Sequence, residues 1–175
     1  MSAPFRSPEL LSEAHELSGF DCEVEPLNTF LTRHALQNQQ NNSARTFVSC
    51  RTGTSEVVGF YTLCAASVDY DQTPERIRKG LARHAVPLIL LARLAVDSGH
   101  QGQGLGLSLL KDAFARFLKA QEIIGARALL AHAKEGKAKA FYEKWGFVAT
   151  EGLPFHLYIL TKNIRATLQA GNVLG

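Results

Sequence analysis

The stretch whose residue types point most directly to chemistry is "DSGHQGQGLGLSLL", residues 97 to 110. Gly102, Gly104 and Gly106 stand at alternate positions, and a leucine-rich run follows at once. Ordering glycine costs more chain entropy than ordering any other residue, so a cluster of it needs a reason. A strand, a glycine loop and a helix in that order place free backbone N–H groups at a helix N-terminus. Those donors and the helix dipole attract an anion, and the missing side chains let a phosphate approach closely. Phosphate binding is the first expectation. A glycine-rich turn without a ligand is the alternative.

The loop does not fit the two commonest phosphate motifs. A P-loop needs Lys-Ser/Thr after its last glycine, and none is present. A dinucleotide fingerprint counted from Gly102 and Gly104 needs a third glycine where Leu107 stands. Glu122 is the acidic residue at about the right distance, but "EIIG" does not end a second strand.

The charged candidates lie upstream. Arg93 is the one charge in the apolar run "LILLARLAV" (88–96). A charge in such a strand must be paired or face a cleft. "PERIRKGLARHAVP" carries Arg76, Arg78, Lys79 and Arg83. Arg76, Lys79 and Arg83 share a face if the segment is helical. A solvated face is the plain reading of such a run. His132 either faces a site or is a hydrogen-bonded core histidine.

The elements that must position these groups follow from periodicity. "VEPLNTFLTRHALQNQQNNS" (24–43) has near-helical apolar spacing at Leu27, Phe30, Leu31 and Leu36. "RTFVSCR" and "EVVGFYTLCAASV", joined by "TGTS", read as a β-hairpin. Residues 88–96 read as a buried strand. Leu107, Leu110, Phe114, Phe117 and Leu118 make an amphipathic helix. "ALLAHA" (128–133) is a strand, "KAKAFYEKWG" (137–146) a short helix, and "FHLYILTK" (155–162) a last strand. Residues 1–9 read as a loose leader. The order predicts an α/β fold with a mixed central sheet flanked by helices, as a single domain over residues 1–175.

Composition sets bounds. The chain has 175 residues, 46% of them hydrophobic and 20% charged, as in an ordinary globular protein. No apolar run is long enough to span a bilayer, so no membrane contact is expected. "MSAPFRSPEL" lacks the parts of a signal peptide. Cys22, Cys50 and Cys64 have no CxxC spacing, which fits a reducing cytoplasm and predicts no metal. The net charge of +3 permits an anionic ligand or nucleic acid without requiring either.

Two motifs together carry a resemblance. "LARLAVDSGHQGQGLG" resembles the acetyl-CoA motif of the GNAT N-acetyltransferases, Gln/Arg-x-x-Gly-x-Gly/Ala, matched by Gln101, Gly104 and Gly106. "AKAFYEKWGF" resembles their A-x-x-F-Y-x-x-x-G-F segment. Over residues 18–165 the chain also resembles the TacT-type toxins of bacterial type II toxin–antitoxin pairs. Gln101 stands where many relatives carry a basic residue.

The resemblance implies a GNAT fold with a splayed parallel strand pair, here at 94–96 and 128–133. It implies acetyl-CoA as co-substrate. The pyrophosphate would sit on amides of Gln101, Gly102, Gln103, Gly104, Leu105, Gly106 and Leu107. The pantetheine arm would pair with the strand at Leu94, Ala95 and Val96, whose N–H groups are also the expected oxyanion donors. Tyr142, by its place in the second motif, is the expected acid for the leaving thiolate, since a phenol with a reference pKa of about 10 has a proton to give. The implied reaction is acetylation of the amino group of aminoacyl-tRNA, with Arg78, Lys79 and Arg93 on the acceptor side. Implied partners are a ribbon-helix-helix antitoxin, operator DNA through that antitoxin only, and a second copy in a homodimer. A GNAT enzyme acetylating a small amine or a protein N-terminus is the other activity these motifs allow.

Overall fold

The apolar runs become strands of one seven-stranded sheet in a computed structural model that describes residues 3–173. The strands are β1 (Glu9–Leu10), β2 (Arg45–Cys50), β3 (Val57–Val68), β4 (Val86–Val96), β5 (Ala128–His132), β6 (Val148–Thr150) and β7 (Leu153–Leu160). Their order in the sheet is β1-β2-β3-β4-β5-β7-β6. β4 and β5 run parallel, whereas β1/β2, β2/β3, β5/β7 and β6/β7 are antiparallel. The expected mixed sheet is present. The helices are α1 (Glu25–Thr29), α2 (Ala35–Gln40), α3 (Glu75–Arg78), α4 (Leu105–Gln121), α5 (Gly136–Lys144) and α6 (Thr161–Val173). A π-helical turn, Phe30–His34, joins α1 to α2. Among the described residues no helix is long and apolar enough to cross a membrane. The chain divides into two compact units.

The first unit comprises the chain up to Cys64 together with Ala92–Ala113. Its hairpin pairs Thr46 with Thr62 and Phe47 with Tyr61. The two buried threonine hydroxyls satisfy each other at 2.8 Å, and the two rings stack at 5.2 Å. Phe20, Phe30, Val48, Phe60 and Ala95 share its core. Gly59 on β3 lets α4 dock: a Cβ there would meet Leu109 at 3.0 Å and Leu105 at 3.1 Å. That close approach fixes the first turn of α4, immediately after the glycine loop. Residues 3–9 are not a loose leader. Arg6 N–H donates to the Cys50 carbonyl at 2.8 Å, Phe5 bridges Arg51, and β1 pairs with β2. The unsatisfied edge of β2 recruits this segment despite its weak strand pattern.

The second unit comprises Ala65–Leu91 together with the chain from Phe114. Ile77, Val86, Leu88, Ala128, Leu130 and Tyr158 form its core. The parallel ladder pairs Ile89 with Leu129, Leu90 with Leu130 and Leu91 with Ala131. Three expectations are corrected here. The basic segment is helical for one turn only, Glu75–Arg78, so Arg76, Lys79 and Arg83 share no helical face. Pro87 lies inside β4 instead of before it. The last strand ends at Leu160, and Thr161 opens α6, a helix whose buried Ile164 lies one turn before Leu168.

Candidate active site

The glycine loop leaves β4 at Val96 in the first unit. Asp97 N–H donates to the Val58 carbonyl at 2.8 Å, and the Asp97 side chain caps a 3₁₀ turn at Ser98–His100 by accepting the Gly99 N–H. Burial pushes the Asp97 carboxyl up, but hydrogen bonds from the Asp21 amide, His100 and the Gly99 amide outweigh it and hold the pKa below the usual range. Gln101 folds back, donating from Nε2 to the Val96 carbonyl at 3.1 Å. Gly102 and Gly104 hold φ at +78° and +81°. That region strongly favours glycine. Neither position has a heavy atom within 4 Å of where a Cβ would stand, so the protein itself has no packing need for a bare backbone. The space is open to a ligand.

Helix α4 begins when Ser108 N–H donates to the Gly104 carbonyl at 3.1 Å. The N–H groups of Leu105, Gly106 and Leu107 therefore precede its first intrahelical bond, at the positive end of a 17-residue helix. Gln103 is exposed beside them. Of the strand residues before the loop, Ala95 is buried, whereas Leu94 and Val96 are half-buried.

Arg93 belongs to the same unit. Its guanidinium lies 3.7 Å from the centroid of the Phe30 ring, within the π-helical turn. No carboxylate among the described residues pairs with it. Burial lowers its pKa, and the charge stands beside the Cys64 thiol. Such a guanidinium, stacked on one face and without an ion-pair partner, keeps its planar donors for something else. Phe30 is one of the apolar residues at helical spacing in 24–43 and belongs to the core of this unit. Only its neighbour in space reveals the second role.

Tyr142 lies on α5 in the second unit and is 6% exposed. Its ring packs on Phe147 at 5.1 Å and on Phe141 at 5.5 Å. Burial pushes its pKa well above the ordinary phenol value, so the hydroxyl stays protonated at neutral pH. No described residue hydrogen-bonds that hydroxyl, and none of their fully buried side-chain oxygens lacks a partner. The hydroxyl therefore reaches the surface, with its proton unshared.

The basic segment divides. Arg76 donates to the Val148 carbonyl at 3.1 Å, and Arg78 donates to the Tyr70 carbonyl at 2.9 Å while stacking on the Tyr70 ring. Arg83 pairs with Asp71 at 3.2 Å. Lys79 is exposed, in a shallow recess shared with Glu75, Arg76, Thr150 and Glu151. Arg78 is thus engaged by Tyr70, while Lys79 is exposed. His132 faces its cross-strand neighbour His156, the rings stacked at 4.2 Å.

Glu9, His15 and Cys50 offer ligand atoms within 4.8 Å of one another. Ser12 N–H donates to His15 Nδ1 at 3.0 Å, which leaves the ring proton on Nε2, 2.8 Å from Glu9. A metal would need the lone pair that this proton occupies, so the cluster fits a hydrogen bond better than an ion.

Comparison with known proteins agrees with the loop's chemistry. Residues 42–149 match the acetyltransferase (GNAT) domain family. The chain is 40% identical over 164 residues to the tRNA-acetylating toxin of Mycobacterium tuberculosis, covering 94% of this chain and 97% of that relative. Its structure matches that of AtaT complexed with acetyl-methionyl-tRNAfMet with a TM-score of 0.84 and 31% identity, over 93% of this chain and 98% of the other. It also matches a tyrosine-to-phenylalanine variant of AtaT, bound to the C-terminus of the antitoxin AtaR and acetyl-CoA, with a TM-score of 0.79 and 31% identity over 94% and 98% of the two chains. A bare, open loop at the head of a docked helix, in a chain with these relatives, belongs to an acyltransferase: the chain is a member of the GNAT acetyltransferase family.

Proposed function

We propose that this chain is an acetyl-CoA-dependent toxin that acetylates the amino group of aminoacyl-tRNA and so blocks translation. The observation that carries the proposal is the 40% identity, along nearly the whole chain, to a tRNA-acetylating toxin. The open amides of Gly102 to Leu107 supply the physical basis for holding the coenzyme's diphosphate.

In this reading Gln101 to Leu107 bind the diphosphate, and the main chain of Leu94, Ala95 and Val96 binds the pantetheine arm and the oxyanion. A neutral amine attacks the thioester carbonyl, forming a C–N bond and a tetrahedral oxyanion. Collapse breaks the C–S bond, and the nitrogen gives up its extra proton to water. Tyr142 donates to the departing sulfur and regains its proton from water; a hydroxyl that no described residue engages supports this role. Arg93 and Lys79 serve the acceptor, whereas the bond from Arg78 to the Tyr70 carbonyl supports a structural role for that residue.

As a toxin the chain would be restrained by an antitoxin, proposed to be of the ribbon-helix-helix type and to carry the pair to operator DNA. AtaT's complex with the C-terminus of AtaR supports a protein antitoxin. A homodimer acting in the cytoplasm, each copy one acetyltransferase domain, completes the proposal.

The test is incubation of a mixture of charged tRNAs with acetyl-CoA and the protein, followed by nuclease digestion and mass analysis of the aminoacyl-adenosines. One acetyl group on the esterified amino acid is expected. Unmodified aminoacyl-adenosines, with the acetyl group on a free small amine or a protein N-terminus instead, would replace this substrate with the other.

A further inference from the structure

One carboxylate in the first unit ties together separate stretches of chain. Asp97 Oδ1 accepts the Asp21 N–H at 2.9 Å. Its Oδ2 accepts the Gly99 N–H at 3.0 Å and lies 3.0 Å from His100 Nδ1. The main chain adds a return bond, from Ser98 N–H to the Asp21 carbonyl at 2.8 Å.

The hydrogen bonds do not stop there. The Asp21 carboxylate accepts the Glu23 N–H at 2.8 Å and Asn28 Nδ2 at 2.9 Å. Asn28 Oδ1 in turn accepts the Cys22 N–H at 2.9 Å. Glu23 sits at φ +67°, where a residue with a side chain is strained and must be held by its surroundings. A continuous run of bonds thus leads from the root of the glycine loop to α1. Asp21 and Asn28 also line a polar recess with Glu25, Thr29 and Arg33.

A glycine loop needs such a post. Glycine gives the backbone freedom, and freedom must be removed before the amides can converge on an anion. Helix α4 fixes the far end of the loop through the bond from Ser108 to Gly104. Asp97 fixes the near end.

We propose that Asp97 is a positioning residue that holds the coenzyme loop in its binding geometry and couples it, through Asp21, to Asn28 on α1. The proposal rests on the acetyl-CoA reading above. Its consequence is that a side chain on α1 adjusts coenzyme affinity without touching the coenzyme.

The experiment is calorimetric titration of acetyl-CoA, with acetyl-transfer kinetics, on the full chain and three variants: Asp97→Asn, Asn28→Ala and the double variant. Asp97→Asn keeps the shape and one acceptor oxygen but loses the charge. It is expected to raise Kd and KM for acetyl-CoA about tenfold, the scale of a charged hydrogen bond, with kcat little changed. Asn28→Ala is expected to raise the Kd alone, and to add little in the double variant. Coenzyme affinity unchanged in Asp97→Asn and Asn28→Ala, beside a wild-type protein that binds, would overturn the positioning role. Fully additive effects would overturn the coupling. If Asp97→Asn fails to fold, unchanged Kd in Asn28→Ala overturns the coupling alone. A wild-type protein that binds no acetyl-CoA would instead refute the coenzyme reading itself.

Discussion

Gly104 is exposed, holds φ at +81° and offers only its main chain. Tyr142 is 6% exposed, sits in an ordinary helix and offers only its side chain. The loop around the first is made by what is left out: no side chain obstructs the amides. The chemistry of the second is made by its surroundings, since Phe141 and Phe147 hold the ring while no described residue engages the hydroxyl. Two such different devices should fail in different ways, the loop in coenzyme affinity and the tyrosine in turnover.

The largest effect tests the loop. Gly104→Val combines strain at positive φ with a bulky side chain, and calorimetry should find acetyl-CoA binding abolished in the folded protein. Gly104→Asn sharpens the point. Asparagine tolerates positive φ better than other side chains, so its melting temperature should stay near wild type while affinity still falls. Wild-type affinity in Gly104→Asn would mean that nothing needs the bare backbone.

The arginines extend the same contrast. Arg93→Gln should raise KM for charged tRNA about tenfold, as for loss of a charge-assisted contact. If Arg93 meets a phosphate, the plot of log affinity against log salt should become shallower by about 0.7, the single-strand value. Equal losses of melting temperature and activity, with an unchanged slope, would make Arg93 a packing residue. Smaller effects should separate Arg78 from Lys79. Arg78→Ala should lower the melting temperature by a few degrees, consistent with losing about 1 kcal/mol, and spare KM. Lys79→Ala should raise KM about twofold and spare stability.

The smallest effect concerns the stacked histidines. Burial first, and His156 second, push the His132 pKa below its ordinary value of 6.5. The unfolded chain then binds more protons than the native one once pH drops below 6.5. Stability should decline on acidification through that window, and His132→Asn should flatten the decline in a melting-temperature series.

Much of this is legible in the sequence alone. The glycines, the buried strand before them and the amphipathic α4 announce a loop at a helix N-terminus, because backbone chemistry is marked by glycine spacing. The hairpin and the "FYEKWG" helix were equally plain. What stayed hidden depends on partners distant in sequence. Residues 3–9 pair with a strand edge more than forty positions away, as with Arg6 and Cys50. Phe30 becomes a platform only because Arg93 crosses it. Asp97 caps its own turn locally, but its bond to Asp21 leaves no local signature. Helix α6 did carry a signal, the pair Ile164 and Leu168 one turn apart, obscured by the strand that runs into it.

The most direct test sets binding against turnover in one variant, Tyr142→Phe. No described residue depends on the lost hydroxyl, so the fold should stand. Acetyl-CoA should bind within about twofold of wild type, while acetyl transfer to charged tRNA should slow by about a hundredfold or more, the usual range for losing a general acid. A phenylalanine variant that turns over at the wild-type rate would contradict the division of labour between loop and tyrosine.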